Sequence, residues 1–253
     1  MSERPPLDAV VFDAGGTLVR LDFEWITEML AELGAPATTD ALRHAEIQGR
    51  LLFDATMGLQ AVPPAWREGP AATLAPLHAY WGGMLEAASC RGAQLEEGLK
   101  RMEARQNSDH FLWAKPMEDA RTTLDALAAM GLRLGCVSNS DGRAAAHLER
   151  FGLRDGLEFV IDSAIVGIEK PDPRIFALAL EKLGVFPARA MYVGDLRSVD
   201  EHGSTSAGMQ FVLLDPYGTY ARRDTPSIAG LAALPAYLEA HFTLPPHRDA
   251  VRS

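Results

Sequence analysis

Asp13 closes the apolar run AVVFDAGGTLV (residues 9–19), and Gly15, Gly16 and Thr17 follow it. Three later stretches are built alike. CVSNSDGR (136–143) brings Ser138 and Asn139, GIEKPDPRIF (167–176) brings Lys170, and VGDLRSVDEHG (193–203) brings Asp195 and Asp200. Two carboxylates such as Asp13 and Asp195 cannot share a site unpaired without a large pKa penalty. A hard divalent cation resolves the conflict, and Mg2+ takes such oxygen ligands while keeping part of its water shell. Lys170 and the Ser138 hydroxyl suit phosphoryl oxygens, where a lysine stabilises charge that builds in the transition state. Each stretch alone has an ordinary structural explanation: an Asp in a turn, a Ser or Asn capping a helix, or prolines (Pro171, Pro173) starting one. All four in order, each at a strand end or helix start, point to one site.

The elements that must position these residues are legible as five apolar runs: 9–14, 132–138, 158–162, 190–195 and 210–215. Apolar residues crowd these runs without clean alternation, as in strands covered on both faces of a parallel sheet. Helical segments at 117–131, 141–152 and 172–184 separate the later strands, and each ends on glycine. Alternating strand and helix gives a doubly wound α/β layer. In such a layer the strand ends share one edge, where ligands bind near the reversal of strand order. More than a hundred residues separate the first two strands, too many for one crossover. Segments 22–34, 38–60 and 72–105 read as helices, broken at AVPPAWREGP (61–70). The expected organisation is a core of residues 1–19 and 112–253 with an inserted helical cap at 20–111. In the cap, HAYWGGM (78–84) reads as cap core, with Tyr80 or Trp81 lining the cleft as the alternative. The tail PPHRDAVRS reads as polar and frayed.

With these motifs in place, the sequence resembles the haloacid dehalogenase-like hydrolase superfamily, through FDAGGTL, VSN, EKPDP and GDLRSVD. The resemblance covers roughly residues 7–19 and 112–215, and implies a Rossmann-like core with a helical cap of the first type. It implies that Asp13 attacks phosphorus to form an aspartyl-phosphate, which water hydrolyses. Ser138 and Lys170 would grip the phosphoryl oxygens, with Lys170 also pairing with Asp13. Gly16, Thr17 and Asn139 are expected at the substrate. Mg2+ would be held by Asp13, Asp195, Asp200 and the backbone carbonyl of Gly15.

Position 15 departs from the pattern. Family phosphatases usually carry there a second Asp that protonates the leaving group, a contribution worth about 10²–10⁴ in rate. Gly15 leaves three options: a substrate with a good leaving group such as an acyl phosphate, a cap residue acting instead (Asp22, Arg43 or His44), or a protein that binds a phosphorylated ligand and turns it over poorly. A 2-haloacid dehalogenase would need no second Asp. That branch has Tyr where Gly15 stands, Asn where Arg197 stands and Tyr where Phe176 stands, and it lacks the acid that Asp195 supplies. A phosphonatase would need a cap lysine, for which the insert offers only Lys100. The reading is a Mg2+-dependent hydrolase of a small phosphorylated metabolite.

Bulk properties agree with a soluble globular chain. Of 253 residues, 47% are hydrophobic, enough to bury a core without staples. The net charge of -10 argues against nucleic acid or an anionic membrane as partner. Cys90 and Cys136 form no metal-ligand spacing. No window approaches the roughly 18 apolar residues of a membrane span, so the expected location is cytoplasmic.

Overall fold

A computed structural model describes residues 4–58, 75–218, 220 and 225–246. The AVPPAWREGP segment and most of the C-terminal tail lie outside them. Contacts divide the chain into two compact units: residues up to Arg20 together with those from Lys115 onward, and Leu21–Ala114.

The first unit is built on a six-stranded parallel sheet in the order β5-β4-β1-β6-β7-β8. Its strands are β1 (Ala9–Phe12), β4 (Arg133–Ser138), β5 (Phe159–Asp162), β6 (Ala190–Gly194), β7 (Gln210–Leu214) and β8 (Ser227–Ile228). The apolar runs form the strands because both faces are covered, and all of β1 is buried. The edge strand β8 was not expected: it has only two residues, with only Ile228 buried. β2 (Val19–Arg20) and β3 (Lys115–Pro116) pair antiparallel, so the chain leaves for the helical insertion and returns from it at one place. Strand order reverses at β1, whose neighbours are β4 and β6.

Register sets what meets at the sheet edge. Phe12 lies opposite Cys136 on one side and Val193 on the other. One residue further, Asp13 leaves β1 with its amide still bonded to the Val193 carbonyl, 2.9 Å. Ser138 pairs with Asp162 at the ends of β4 and β5.

The second unit is helical: α1 (Phe23–Glu32), α2 (Thr39–Thr56), α3 (Pro76–Ala87) and α4 (Ala93–Gln106). Thr38 and Asp22 cap α2 and α1 through their side chains. The single helix expected over 72–105 is two. The chain turns at Ser89 (φ 71), just past the end of α3, and at Gly92 (φ 53), which precedes α4. α2 and α3 pack closely because Gly49 has no Cβ, which would collide with the Tyr80 carbonyl. Tyr80 and Trp81 are buried, as cap-core residues should be, and the Tyr80 hydroxyl donates to Glu46 Oε1 at 2.5 Å.

In the first unit the crossover helices are α5 (Ala120–Ala129), α6 (Ala144–Arg150), a single turn α7 (Ser163–Val166) and α8 (Pro173–Leu183). Asp172 caps α8, Pro173 occupies its first position, and Gly184 (φ 60) ends it. The helix expected after β6 begins as a π turn at Arg197–Glu201 and becomes α9 (His202–Ser206); the last helix among the described residues is α10 (Leu234–His241). No helix among the described residues is long and apolar enough to cross a membrane.

Candidate active site

Asp13, Asp195 and Asp200 meet at the edge where β1 and β6 end. All are buried, and each offers a carboxylate oxygen within 4.8 Å of the other two. Lys170 reaches them from the loop before α8. Its ammonium donates to Asp13 Oδ1 at 2.6 Å, to Asp200 Oδ1 at 2.7 Å and to the Tyr192 hydroxyl at 3.0 Å.

Three carboxylates meet here and Lys170 bonds two of them, and the electrostatics record the imbalance. Burial raises the Asp13 carboxyl from 3.8 to about 6; Lys170 opposes the rise and Asp200 adds to it. Burial pulls the Lys170 ammonium down, yet Asp13 and Asp200 outweigh it and hold its pKa above the ordinary 10.5. An all-oxygen donor set with surplus negative charge fits a hard divalent cation.

Local structure explains how the acids are aimed. The turn after Asp13 is tight: the amides of Leu18 and Val19 both bond the Ala14 carbonyl at 2.9 Å, and Gly16 N–H bonds that of Val19 at 2.7 Å. Gly16 takes φ 82, and a Cβ there would collide with the Asp195 carboxylate. Gly194 makes the same room for Asp200. Asp200 Oδ2 accepts the amides of Asp195 (3.1 Å) and Leu196 (3.0 Å), while its Oδ1 takes Lys170. The π turn carries this arrangement, since the widened turn returns the Asp200 carboxylate to the start of its own loop.

The other expected residues divide. Thr17 is fully buried and its hydroxyl has no hydrogen-bond partner. A buried hydroxyl without a partner, four residues after Asp13, has room in its bonding for an atom from outside the chain. Ser138 is buried at the end of β4. Asn139, expected at the substrate, bonds its side-chain amide to the backbone of Lys170. Its Oδ1 accepts from Lys170 N at 2.8 Å, and its Nδ2 donates to the Lys170 carbonyl at 2.9 Å. The Lys170–Pro171 peptide within this clamp is cis. Gly15 sits in the turn, bridged to Val19.

The named stand-ins for a proton donor have duties inside the helical unit. Asp22 caps α1 and pairs with Arg105 at 2.7 Å, Arg43 lies over the Phe23 ring, and the exposed His44 contacts the Asp40 carbonyl. Arg197 is buried and paired with Glu201 at 2.9 Å, and Lys100 is exposed on α4.

Two residues of the arrangement were not singled out from sequence. Tyr192 lies inside an apolar strand run, where tyrosine reads as core. Asp162 ends β5 and accepts the amides of Gly142, Ala144 and Ala164, each at about 3.0 Å, which fixes the loop after Ser138. A carboxylate closing the FVID run was the available signal for Asp162.

The chain is similar to known proteins in sequence and in fold. A sequence profile described as haloacid dehalogenase-like hydrolase matches residues 7–200. The phosphoglycolate phosphatase of Rhodospirillum rubrum is 32% identical over 226 residues, covering 88% of this chain and 85% of that protein. The mouse (Mus musculus) haloacid dehalogenase-like hydrolase domain-containing protein 3 is 39% identical over 136 residues, 53% of this chain and 54% of that one. The match thus spans only about half of that relative's length. A crystal structure of a haloacid dehalogenase-like phosphatase from Thermococcus onnurineus overlays with a TM-score of 0.55 at 25% identity, covering 94% of this chain and 100% of that one.

Proposed function

The chain belongs to the haloacid dehalogenase-like hydrolase family, and on that premise we propose that it is a Mg2+-dependent phosphatase of a small phosphorylated metabolite, working through an aspartyl-phosphate on Asp13. The buried Asp13–Lys170–Asp200 linkage, with Asp195 beside it, carries the reading. Asp13 and Asp195 would hold the ion, with the Gly15 carbonyl completing the protein's share. Asp200 would stand behind them, since its oxygens already serve Lys170 and two amides. When bound, the ion supplies positive charge that offsets the carboxylates and the incoming phosphoryl group.

The chain's own residues would do the rest. An Asp13 carboxylate oxygen bonds to phosphorus as the bond to the leaving oxygen breaks. Lys170 keeps Asp13 ionised and offsets charge on the transferring group. Gly16 lets the turn approach closely, while the Thr17 and Ser138 hydroxyls would take phosphoryl oxygens. Water then cleaves the aspartyl-phosphate and restores the carboxylate. Gly15 supplies no proton, so the leaving oxygen draws one from solvent, and substrates with acidic leaving groups such as acyl phosphates are turned over best. The helical unit, inserted between β2 and β3, would set substrate choice, and the cytoplasm would be the working compartment.

The test is a screen of acetyl phosphate, p-nitrophenyl phosphate, sugar phosphates and 2-chloropropionate, with and without Mg2+. Phosphate release that needs Mg2+ and is lost in Asp13→Asn supports the reading. Chloride release without metal would replace it with a dehalogenase. No turnover, with a melting temperature raised by a phosphorylated compound, would replace it with a binding protein.

A further inference from the structure

An ammonium has three N–H donors, and Lys170 has three acceptors around it. Two are the carboxylates of Asp13 and Asp200; the third is the hydroxyl of Tyr192, 3.0 Å from Nζ. Tyr192 sends its own proton to the Val137 backbone carbonyl at 2.8 Å, so its oxygen faces Lys170 as an acceptor. Both side chains are buried. Tyr192 belongs to β6 and Val137 to β4, and β1 runs between these strands. The phenol therefore links the two neighbours of the strand that ends in Asp13. Burial, with the charges of Asp200 and Asp13, pushes the phenol pKa well above 10, so the proton stays on Tyr192 and its direction is fixed.

We propose that Tyr192 is a positioning residue for phosphoryl transfer: its hydroxyl holds the Lys170 ammonium in the one orientation that serves Asp13 and Asp200 together. The proposal rests on the phosphatase reading above. A lysine head on a flexible four-carbon stem has no fixed direction of its own. Asn139 fixes the backbone end of this lysine, and Tyr192 fixes the charged end. Removing the hydroxyl leaves one N–H of Lys170 and the Val137 carbonyl without their partners. The ammonium then turns, and Asp13 loses its aim at phosphorus.

The experiment compares wild type, Tyr192→Phe and Leu183→Ala, a buried core truncation at the far end of α8, using p-nitrophenyl phosphate with Mg2+. Tyr192→Phe should lower kcat about 10–100-fold with KM nearly unchanged, whereas Leu183→Ala should lower the melting temperature and keep kcat. Wild-type kcat in Tyr192→Phe overturns the proposal, as does a kcat loss that follows the melting temperature in both variants. A second readout needs no turnover and no variant: in protein labelled with 15N-lysine, the Lys170 ammonium should exchange slowly with water. A rapidly exchanging ammonium overturns the assignment. An inactive wild type with a slowly exchanging ammonium would remove the phosphatase reading and leave the placement of Lys170 by Tyr192 standing.

Discussion

Replacing the proposed nucleophile should make the metal-free protein more stable. Asp13 gives up its proton near 3.8 in the unfolded chain, but only at about 6 in the folded one, chiefly because it is buried. Between those pH values the folded state binds more protons, so raising the pH destabilises it. The separation of about two pKa units corresponds to roughly 3 kcal/mol, complete by neutral pH and absent below about pH 4. Asp13→Asn keeps the shape and an acceptor for Lys170 but cannot ionise. In Mg2+-free buffer at pH 7.5 the variant should therefore exceed wild type by up to roughly 3 kcal/mol, and the two should converge near pH 4. Mg2+ should narrow the gap at pH 7.5 by stabilising the wild type. Thermal or urea melts at several pH values, with and without Mg2+, measure this directly. A variant less stable than wild type in metal-free buffer at pH 7.5, or a difference that ignores pH, would refute the charge argument.

Three further outcomes follow from the same geometry. Mg2+ affinity, measured by calorimetric titration, should fall as the pH drops through about 6, because the proton on Asp13 competes with the ion. Gly15→Asp should fold, since the positive φ belongs to Gly16 and not to Gly15. It should raise turnover of alkyl phosphates by up to about 10²–10⁴ and of p-nitrophenyl phosphate far less; equal gains on both would remove the missing-acid explanation. Asn139→Ala should cost about 1–3 kcal/mol in denaturant melts by leaving the Lys170 amide and carbonyl unpaired, and should lower kcat.

Much of the first unit was legible because its strands are apolar runs ended by polar residues, so Asp13, Ser138 and Asp195 announce the ends of β1, β4 and β6. Lys170 was legible through the prolines around it. What sequence could not give was the partner of each polar atom. Asn139 and Thr17 both read as substrate contacts. The fold spends the Asn139 amide on a backbone and leaves the Thr17 hydroxyl bare. Tyr192 was hidden because one hydroxyl in AMYVG does not disturb an apolar pattern. The break at Ser89–Gly92 was hidden because helical composition continues on both sides of it. β8 was hidden because a two-residue strand carries no period.

The most direct test of Asp13 as nucleophile is a rapid acid quench of wild type mixed with p-nitrophenyl phosphate and Mg2+, followed by mass spectrometry of the peptide containing residue 13. With glycine at position 15 no side chain there activates the water of the second step, so the phosphorylated enzyme should accumulate. The spectrum should show one phosphoryl group on Asp13, matched by a burst of p-nitrophenol and absent from Asp13→Asn. Steady turnover with an unmodified Asp13 at every quench time and no burst, or a phosphoryl group on another residue, would contradict it.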